Sequence, residues 1–295
     1  MRTGYYSAEI IGLLPIDRGQ YIEEIQTIYC TIMISDPILV IVAAIFGAIV
    51  GSFLNVVILR LPEEDQSIAY PASHCPHCSA PLRWYENIPI VSFLFLRGKC
   101  GHCRMPISVQ YPLVELAMAL LAAAIIATFH VTIAGAGYFL FSAALLVVIV
   151  IDIHHQIIPD VISLPGIILG VLFSFISPTV TWQSSLIGLL VGGGVLYAVA
   201  FFYFLLRKVD GMGGGDIKLL AMIGAWLGWQ SLPFVIFASS FSGSIVGLIA
   251  MLYQKKGGRT RIPFGPFLSL SALVYTFYAE KILYFFHLYL TGQWP

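Results

Sequence analysis

The sequence predicts an all-α polytopic membrane protein with about eight transmembrane helices and a small cytosolic, zinc-ribbon-like loop domain. Three observations favour this fold class: the composition, a series of long apolar runs, and one polar loop that contains four cysteines. Of the 295 residues, 59% are hydrophobic and 10% are charged, whereas soluble domains contain about 45–50% and about 25%. The mean hydropathy is +0.90. Such a composition excludes a soluble globular enzyme, a disordered chain and a secreted disulfide scaffold.

The apolar runs have the length of membrane-spanning helices, which need about 20 mostly apolar residues. The eight predicted spans are Pro37–Leu59, Leu113–Phe129, Ala136–Ile151, Val161–Ile176, Ser184–Leu206, Ile217–Trp229, Leu232–Tyr253 and Phe267–Leu290. The sixth run is the shortest, which predicts a thin, tilted or re-entrant helix. The runs divide the chain into four parts: a polar leader over residues 1–36, a first transmembrane helix over 37–59, a loop over 60–112, and a transmembrane bundle over 113–295.

Basic residues predict the orientation of the bundle. Positively charged residues accumulate in cytoplasmic connections, and with eight crossings one side collects twelve of the 15 Lys and Arg residues. The twelve are Arg60, Arg83, Arg97, Lys99, Arg104, Arg207, Lys208, Lys218, Lys255, Lys256, Arg259 and Arg261. We therefore expect that side to be cytoplasmic and both termini to lie outside. The formal net charge of zero gives no reason to expect a nucleic-acid partner.

The leader, residues 1–36, is polar and lacks the basic start and apolar core of a cleavable signal peptide. It includes the unpaired Cys30. A start at Met33, immediately before the first predicted span, would also give a coherent membrane protein. Whether the first 32 residues belong to the native protein stays open at this point.

The four-cysteine loop, residues 60–112, predicts a metal site. Cys75-Pro-His-Cys78 and Cys100-Gly-His-Cys103 form two C-x-x-C motifs separated by 21 residues, which is the spacing of a zinc ribbon. Four thiolates complete a tetrahedral shell without an open position, so we expect a structural zinc ion. Disulfides and unmetallated thiols are weaker alternatives in a reducing compartment.

Carboxylates within or beside spans are costly and usually mark a functional site. Glu115 starts the second span, where a helix-start charge is the simpler interpretation. Asp160 precedes the fourth span in the position of an N-cap. Asp216 opens the sixth span after a glycine run and could also be an N-cap.

Asp152 and Asp216 are the strongest candidates for catalysis. Asp152 ends the third span and Asp216 begins the sixth, so both lie at the same membrane depth on the predicted cytosolic side. Two carboxyl groups within a few ångströms share a proton, which leaves one as a general base and the other as a general acid. Such a pair activates a water molecule and protonates a leaving amide nitrogen. This is the chemistry of an aspartic protease.

The residues around these acids carry a resemblance to a known family. Gly213-Gly214-Gly215-Asp216 matches the G-x-G-D signature of intramembrane aspartyl peptidases, and Gly211–Leu220 with Asp152–Pro159 resembles the bacterial type IV prepilin leader peptidases. Further matching stretches, within about Ile41–Phe267, are Gly51–Val56, the cysteine motifs, Asn87–Pro89, Leu96–Gly98 and Tyr111–Glu115.

The resemblance implies a bifunctional enzyme of the bacterial inner membrane. Asp152 and Asp216 correspond to the catalytic aspartates of the family, and Cys75, Cys78, Cys100 and Cys103 to its cytosolic cysteines. Members cleave the basic leader of type IV prepilins and type II secretion pseudopilins on the cytoplasmic side. They then methylate the new N terminus with S-adenosylmethionine. The sequence offers no glycine-rich strand-to-helix turn for this donor, so we look for its contacts in the four-cysteine loop and around Gly51–Asn55.

Alternative functions use the same residues differently. A peptidase without methylase activity needs only the two aspartates. A proton-coupled transporter would place Asp152, Asp160 and Asp216 along an ion pathway. That function favours acids near the middle of the bilayer and an inverted repeat, and the sequence shows neither. A non-catalytic, zinc-dependent assembly factor would leave the two aspartates unexplained.

Overall fold

The computed structural model describes residues 37–63, 67, 73–209, 213–254 and 262–292. The leader, with Cys30 and Met33, lies outside the described residues, as do the four basic residues of the seventh-to-eighth connection. Within the described ranges the regular structure is helical, apart from two isolated β-bridges in the four-cysteine loop.

Eight helices correspond in order to the eight predicted runs. They are α1 (Pro37–Arg60), α2 (Gln110–Phe129), α3 (Ile133–His155), α4 (Asp160–Phe173), α5 (Trp182–Arg207), α6 (Gly214–Leu227), α7 (Leu232–Gln254) and α8 (Gly265–Thr291). Five of them, α1, α2, α3, α5 and α7, are long and apolar enough to cross a membrane. Many apolar side chains on their outer faces are exposed, as expected for a multi-pass membrane protein.

The remaining three helices differ from ordinary spans. α4 and α6 have 14 residues each, which is about 21 Å at 1.5 Å per residue, while a hydrocarbon core is about 30 Å thick. α8 has 27 residues, but its backbone is non-helical at Tyr278. The structure thus confirms an all-helical fold with several candidate spans. Among the described helices, five have the length and hydropathy of a membrane span.

Local sequence signals explain where helices begin and end. Thr132 caps α3 by accepting a hydrogen bond from the Gly135 N–H, and Thr181 caps α5 in the same way. α3 ends at His155, and its C-cap residue Gln156 adopts the left-handed conformation with φ of 55°. This end places Asp152 in the last turn of the helix, three residues before its final residue.

Glycines bring helix pairs into close contact. Gly188 of α5 and Gly224 of α6 face each other so closely that a methyl group on either would overlap the carbonyl of the other. On the other side of the molecule, a methyl carbon on Gly51 of α1 would lie 2.7 Å from the Glu115 Cα of α2. Small residues at helix contacts are the usual way to pack helices in lipid, where no hydrophobic force drives helices together.

The core is centred on α6. Every residue from Leu219 to Leu227 is buried, and the ring of Trp226 stacks on Phe141 of α3 with centroids 5.1 Å apart. Phe173 of α4 completes this aromatic group, 4.9 Å from Trp226. Because α6 is surrounded by α4, α5 and α8, its first turn is held at a fixed position against the ends of its neighbours.

The four-cysteine loop contains two similar turns. In the first, the Cys75 N–H donates to the Ala80 carbonyl within the bridge His74 to Pro81. In the second, the Cys100 N–H donates to the Met105 carbonyl within the bridge Lys99 to Pro106. A 3₁₀ turn, Trp84–Asn87, and a short helix, Val91–Phe95, lie between them.

Candidate functional site

Asp152 lies in the last turn of α3, with 4% of its surface exposed. Its Oδ2 atom accepts a hydrogen bond of 2.9 Å from the backbone N–H of Gly265, the first residue of α8. The carboxylate therefore lies at the N-terminus of a helix, where the unpaired N–H groups and the helix dipole favour negative charge.

Asp216 is the third residue of α6 and is half-buried. Its carboxyl group lies within electrostatic range of Asp152. The N-cap of α6 is Gly213, so the interpretation of Asp216 as an N-cap is wrong. We call Asp152 and Asp216 the acid pair; the structure brings them together from helices whose sequence positions are 64 apart.

Two glycines and one isoleucine set the geometry around the acid pair. A methyl carbon on Gly265 would lie 2.6 Å from Asp152 Oδ2 and 3.1 Å from Ile158 Cδ1. A methyl carbon on Gly215, the neighbour of Asp216, would lie 2.9 Å from Ile158 Cβ. Ile158 therefore contacts the backbone beside both acids, and only glycine fits at either position without displacing it. Gly211 and Met212 lie outside the described residues.

Asp160 and Lys218 form an ion pair beside this site. Lys218 Nζ lies 2.7 Å and 2.8 Å from the two Asp160 carboxylate oxygens, and the side chains are 39% and 55% exposed, respectively. The prediction that Asp160 caps α4 is wrong, because the N-cap is Pro159 and Asp160 is the first helical residue. The pair joins the starts of α4 and α6. Its two residues are 58 positions apart, so the sequence alone did not predict the contact.

Glu115 has a different role from the expected helix-start charge. It is the sixth residue of α2, is 7% exposed, and its Oε2 accepts a hydrogen bond of 2.7 Å from the Ile90 N–H in the four-cysteine loop. The side chain of Ser52 in α1 also lies close to this carboxylate. Glu115 thus attaches the loop to the α1–α2 pair. In the sequence, the one sign of this contact is that Ser52 lies within the family-like stretch Gly51–Val56.

The four cysteines meet at one point, as predicted. Their sulfur atoms all lie within 4.8 Å of one another, and the Sγ atoms of Cys75 and Cys103 are 3.8 Å apart. The backbone N–H of Cys103, and next that of His102, lower the pKa of the Cys100 thiol to about 6. Because the thiolate is the form that binds metals, this cluster is suited to hold a metal ion.

One cavity of about 520 Å³ lies between α2 and α3. Its polar lining residues are Ser108, Gln110 and His154, and the rest of its wall is apolar. Gln110 Nε2 and Asn55 Oδ1 are buried and have no hydrogen-bond partner among the described protein atoms. Asn55 donates to the carbonyl of Tyr111, the neighbour of Gln110, so both atoms belong to the same region of the α1–α2 interface.

Known proteins with similar sequences fall into one family. Residues 45–129 match the bacterial peptidase A24 N-terminal domain, and residues 139–248 match the type IV leader peptidase family. The acid pair lies in the second matched region and the cysteine cluster in the first. No solved structure matches the chain significantly.

Several curated relatives share the name prepilin leader peptidase/N-methyltransferase. The one from Stutzerimonas stutzeri is 38% identical, over 84% of this chain and 94% of the relative. The one from Burkholderia pseudomallei strain 1026b is 36% identical, over 85% and 87%. The one from Pseudomonas aeruginosa is 37% identical, over 82% and 91%. The similarity thus extends across nearly the whole length of each relative.

Proposed function

Because the chain belongs to the type IV leader peptidase family, we propose that it cleaves the leader of prepilins and pseudopilins and then methylates the new N terminus. Both activities are named for its relatives. The observation that carries the peptidase assignment is the acid pair, formed where the end of α3 meets the starts of α6 and α8.

We assign the two acids complementary roles in peptide hydrolysis. The Gly265 N–H and the α8 N-terminus stabilise charge on Asp152, so Asp152 acts as the base that takes a proton from the attacking water. The water oxygen bonds to the scissile carbonyl carbon. Asp216 supplies a proton to the leaving amide nitrogen, and the carbon–nitrogen bond breaks. Neither step needs a metal, which agrees with the position of the cysteine cluster in a separate loop.

The glycines beside the acids suit an extended peptide substrate. A methyl group on Gly214 would meet no atom within 4 Å, so open space borders the first turn of α6. A substrate backbone can approach the acid pair there without a side chain in its way. The basic leader of the substrate would then lie beside the exposed carboxylate of Asp160, which Lys218 already partly neutralises.

We propose that all eight helices cross the bacterial inner membrane, with the acid pair at the cytoplasmic face. The shortness of α6 is compatible with this arrangement, because a helix enclosed by α4, α5 and α8 need not match the thickness of the lipid. Basic residues lie at the same ends of the helices as the acid pair: Lys218 in the first turns of α6, and Arg207 at the end of α5. The positive-inside rule places these ends in the cytoplasm.

We propose that the cysteine cluster binds a structural zinc ion. Zinc–sulfur bonds of about 2.3 Å in a tetrahedron separate the sulfur atoms by about 3.8 Å, which is the distance between Cys75 and Cys103. All four positions would be filled by protein, so no site remains for a substrate. His77 and His102 are exposed and are not needed as ligands.

For the methyl donor, we propose the cavity between α2 and α3. Its volume lies within the range of about 300–1,000 Å³ that is usual for small-molecule sites, and Gln110, which lines it, has a buried Nε2 atom that a bound ligand could satisfy. S-adenosylmethionine supplies a sulfonium methyl group for transfer to an amine. Gln110, Ser108 and His154 would hold its polar groups.

The cavity and the acid pair lie on different sides of α3. His154 and Val150 line the cavity, and Asp152 between them points about 200° away around the helix. Cleavage and methylation therefore use separate sites, and the new N terminus must move between them.

The test is mass analysis of a prepilin incubated with the purified protein in lipid nanodiscs. Without added donor, we expect loss of the leader alone. When S-adenosylmethionine is added, we expect a further gain of about 14 Da, because one methyl group replaces one hydrogen atom in each transfer. An intact prepilin in both samples would reject the function. Cleavage without the second mass change would restrict it to the peptidase.

A further inference from the structure

Between the two cysteine motifs, the loop exposes an unusual number of large apolar side chains. We call residues 84–95 the interfacial segment. Its exposed apolar residues, with their exposed fractions, are Trp84 81%, Tyr85 43%, Ile88 38%, Val91 46%, Leu94 68% and Phe95 85%. Six of these 12 residues thus expose apolar or aromatic side chains. Such exposure is unfavourable on a surface that contacts only water.

The exposed residues of the short helix share one side. Val91, Leu94 and Phe95 occupy positions i, i+3 and i+4, which are neighbours on a helix surface. Trp84 and Tyr85 form a second aromatic group, with ring centroids 5.7 Å apart. The segment therefore presents an apolar turn next to a Trp–Tyr pair.

The contact with Glu115 fixes the depth of this segment. The hydrogen bond of 2.7 Å from the Ile90 N–H to Glu115 lies five residues inside α2, about 7.5 Å from its start at 1.5 Å per residue. Gly51 packs on Glu115 at the same level, nine residues before the end of α1. Since α1 and α2 both have the length and hydropathy of spans, Ile90 contacts a stretch of α2 that is apolar enough to lie in the membrane.

The neighbouring surface of α2 also faces lipid. Leu116 and Leu120, which follow Glu115 in α2, are 45% and 62% exposed. The short helix that follows Ile90 therefore begins beside a lipid-facing surface at the same depth.

The charges of the loop match an anionic membrane surface. The described residues 73–109 contain four basic residues, Arg83, Arg97, Lys99 and Arg104, all exposed, and one acidic residue, Glu86. Arg83 donates a hydrogen bond to the hydroxyl of Tyr85. Tryptophan, tyrosine and arginine side by side are typical of the headgroup region, where ring and charge can both be accommodated.

From these observations we propose that the interfacial segment inserts into the leaflet beside α2 as a monotopic element that binds anionic phospholipid. Leu94 and Phe95 enter the upper acyl region, Trp84 and Tyr85 lie among the headgroups, and Arg83 and Arg97 contact phosphates. The four-cysteine loop is then fixed to the membrane at two levels, by Glu115 within the protein and by lipid outside it.

The first experiment maps lipid contacts directly. The full-length protein is placed in nanodiscs that contain phosphatidylglycerol and a phospholipid with a diazirine near the glycerol end of its acyl chain. After illumination, digestion and mass spectrometry, we expect lipid adducts on residues 84–95 and on the α2 peptide around Leu113–Leu120, and none on the second cysteine turn, residues 99–106. Adducts on α2 without any on residues 84–95 would overturn the proposal.

A matched pair of variants tests the anchors. Leu94→Glu combined with Phe95→Glu should reduce adducts on residues 84–95 by about tenfold, because charged groups at the acyl boundary are expelled toward water. Met105→Glu changes an exposed apolar residue (45% exposed) in the second cysteine turn and should leave these adducts unchanged. One metal ion per chain in both variants shows that the loop is folded. Unchanged adducts in the double variant would reject the assigned anchors.

Two further arms separate lipid from other occupants. Replacing phosphatidylglycerol by phosphatidylcholine should lower the adducts on residues 84–95 by at least about fivefold, which corresponds to the roughly 1 kcal/mol that one basic residue gains near an anionic surface. Addition of a saturating prepilin should leave them unchanged. Displacement by prepilin would show that the segment is a substrate surface, and protein–protein cross-links at residues 84–95 would show a second copy; either overturns the proposal. No turnover is measured, so failure here leaves the proposed peptidase function intact.

Discussion

The cysteine cluster and the acid pair both unite residues from distant positions, but they are built in different ways. Each cysteine motif is a small unit with its own backbone hydrogen bonds, from Cys75 to Ala80 and from Cys100 to Met105. Residue 79 of the first turn and residue 104 of the second both have positive φ, 54° and 60°. Two equivalent turns thus supply two sulfur atoms each, at positions suited to a shared metal ion.

The acid pair has no such local unit. Asp152 finds its hydrogen-bond donor at Gly265, 113 residues away, and its charged neighbour at Asp216. Their separation depends on how α3, α6 and α8 pack, and on Ile158 between Gly215 and Gly265. The comparison teaches that the loop should depend on its metal and tolerate changes in the bundle, whereas the acid pair should depend on helix packing and tolerate changes in the loop.

The largest effect should come from the acid pair itself. Asp152→Asn and Asp216→Asn each remove one partner of the proton exchange, so we expect prepilin cleavage to fall by at least about 10³-fold, within the range for loss of a general acid or base. The double variant should be scarcely worse than either single variant, because the two groups act as a unit. Cleavage rates are measured by mass spectrometry in nanodiscs, with metal content as the control for folding. Near-normal turnover in either variant would remove that residue from the mechanism.

The second effect tests whether packing sets the acid pair. In Gly265→Ala and Gly215→Ala the added methyl carbon would lie 2.6 Å from Asp152 Oδ2 and 2.9 Å from Ile158 Cβ, respectively. We expect cleavage to fall by about 10²-fold in each, because small displacements of reacting groups cost rate on this scale.

Gly214→Ala is the matched control for this experiment. Gly214 belongs to the same first turn of α6, but its methyl group would meet no atom within 4 Å, so cleavage should stay close to that of the unmodified protein. Equal losses at Gly214 and Gly215 would indicate a general effect on the start of α6 instead of a displaced acid.

The third effect concerns the loop. Cys75→Ser or Cys100→Ser should lower the zinc content from about one ion per chain to near zero and expose residues 73–109 to proteolysis, because the metal supplies much of the folding free energy of such a small domain. Cleavage should fall by no more than about tenfold, a loss of roughly 1.4 kcal/mol in transition-state stabilisation. His77→Ala, which changes an exposed residue within the first motif, should keep its zinc. Loss of cleavage as complete as in Asp152→Asn would show that the two regions are not independent.

The smallest effect is expected at the ion pair beside the acids. Asp160→Asn or Lys218→Met breaks a contact between exposed side chains, and such pairs contribute only about 0–1 kcal/mol. Cleavage should therefore change by less than about fivefold, with little dependence on which partner is removed. A loss of several hundredfold in Asp160→Asn would show that the catalytic pair includes Asp160.

Much of the fold was predictable because its signals are local. Each apolar run contains enough hydrophobic residues to form a helix by itself, and the eight helices follow the predicted runs closely. The cysteine cluster was predictable for a related reason, since two C-x-x-C turns of fixed geometry leave few ways to place four sulfur atoms. The number of spans could not be predicted from the runs alone, because α4 and α6 have only 14 residues each and α6 packs against α4, α5 and α8.

Other contacts had no signal in the sequence. The apolar runs do not indicate that Asp160 faces Lys218 instead of capping α4, or that Glu115 accepts a hydrogen bond from Ile90. These contacts depend on the rotation of each helix about its axis. Neighbouring residues differ by about 100° on a helix, so an error of one residue in packing would direct each carboxylate to another partner.

The sequence alone determined the helices, the cysteine turns and the candidate acids, because hydrophobic length, turn geometry and residue chemistry are properties of short segments. The tertiary structure alone decided which carboxylates meet, which glycines permit their approach, and where the loop is attached to the bundle. These contacts depend on side-chain volume where helices pack. The close approach of Gly188 and Gly224 positions α5 on α6, and that of Gly265 and Asp152 positions α8 on α3. Only the packed chain brings these surfaces together.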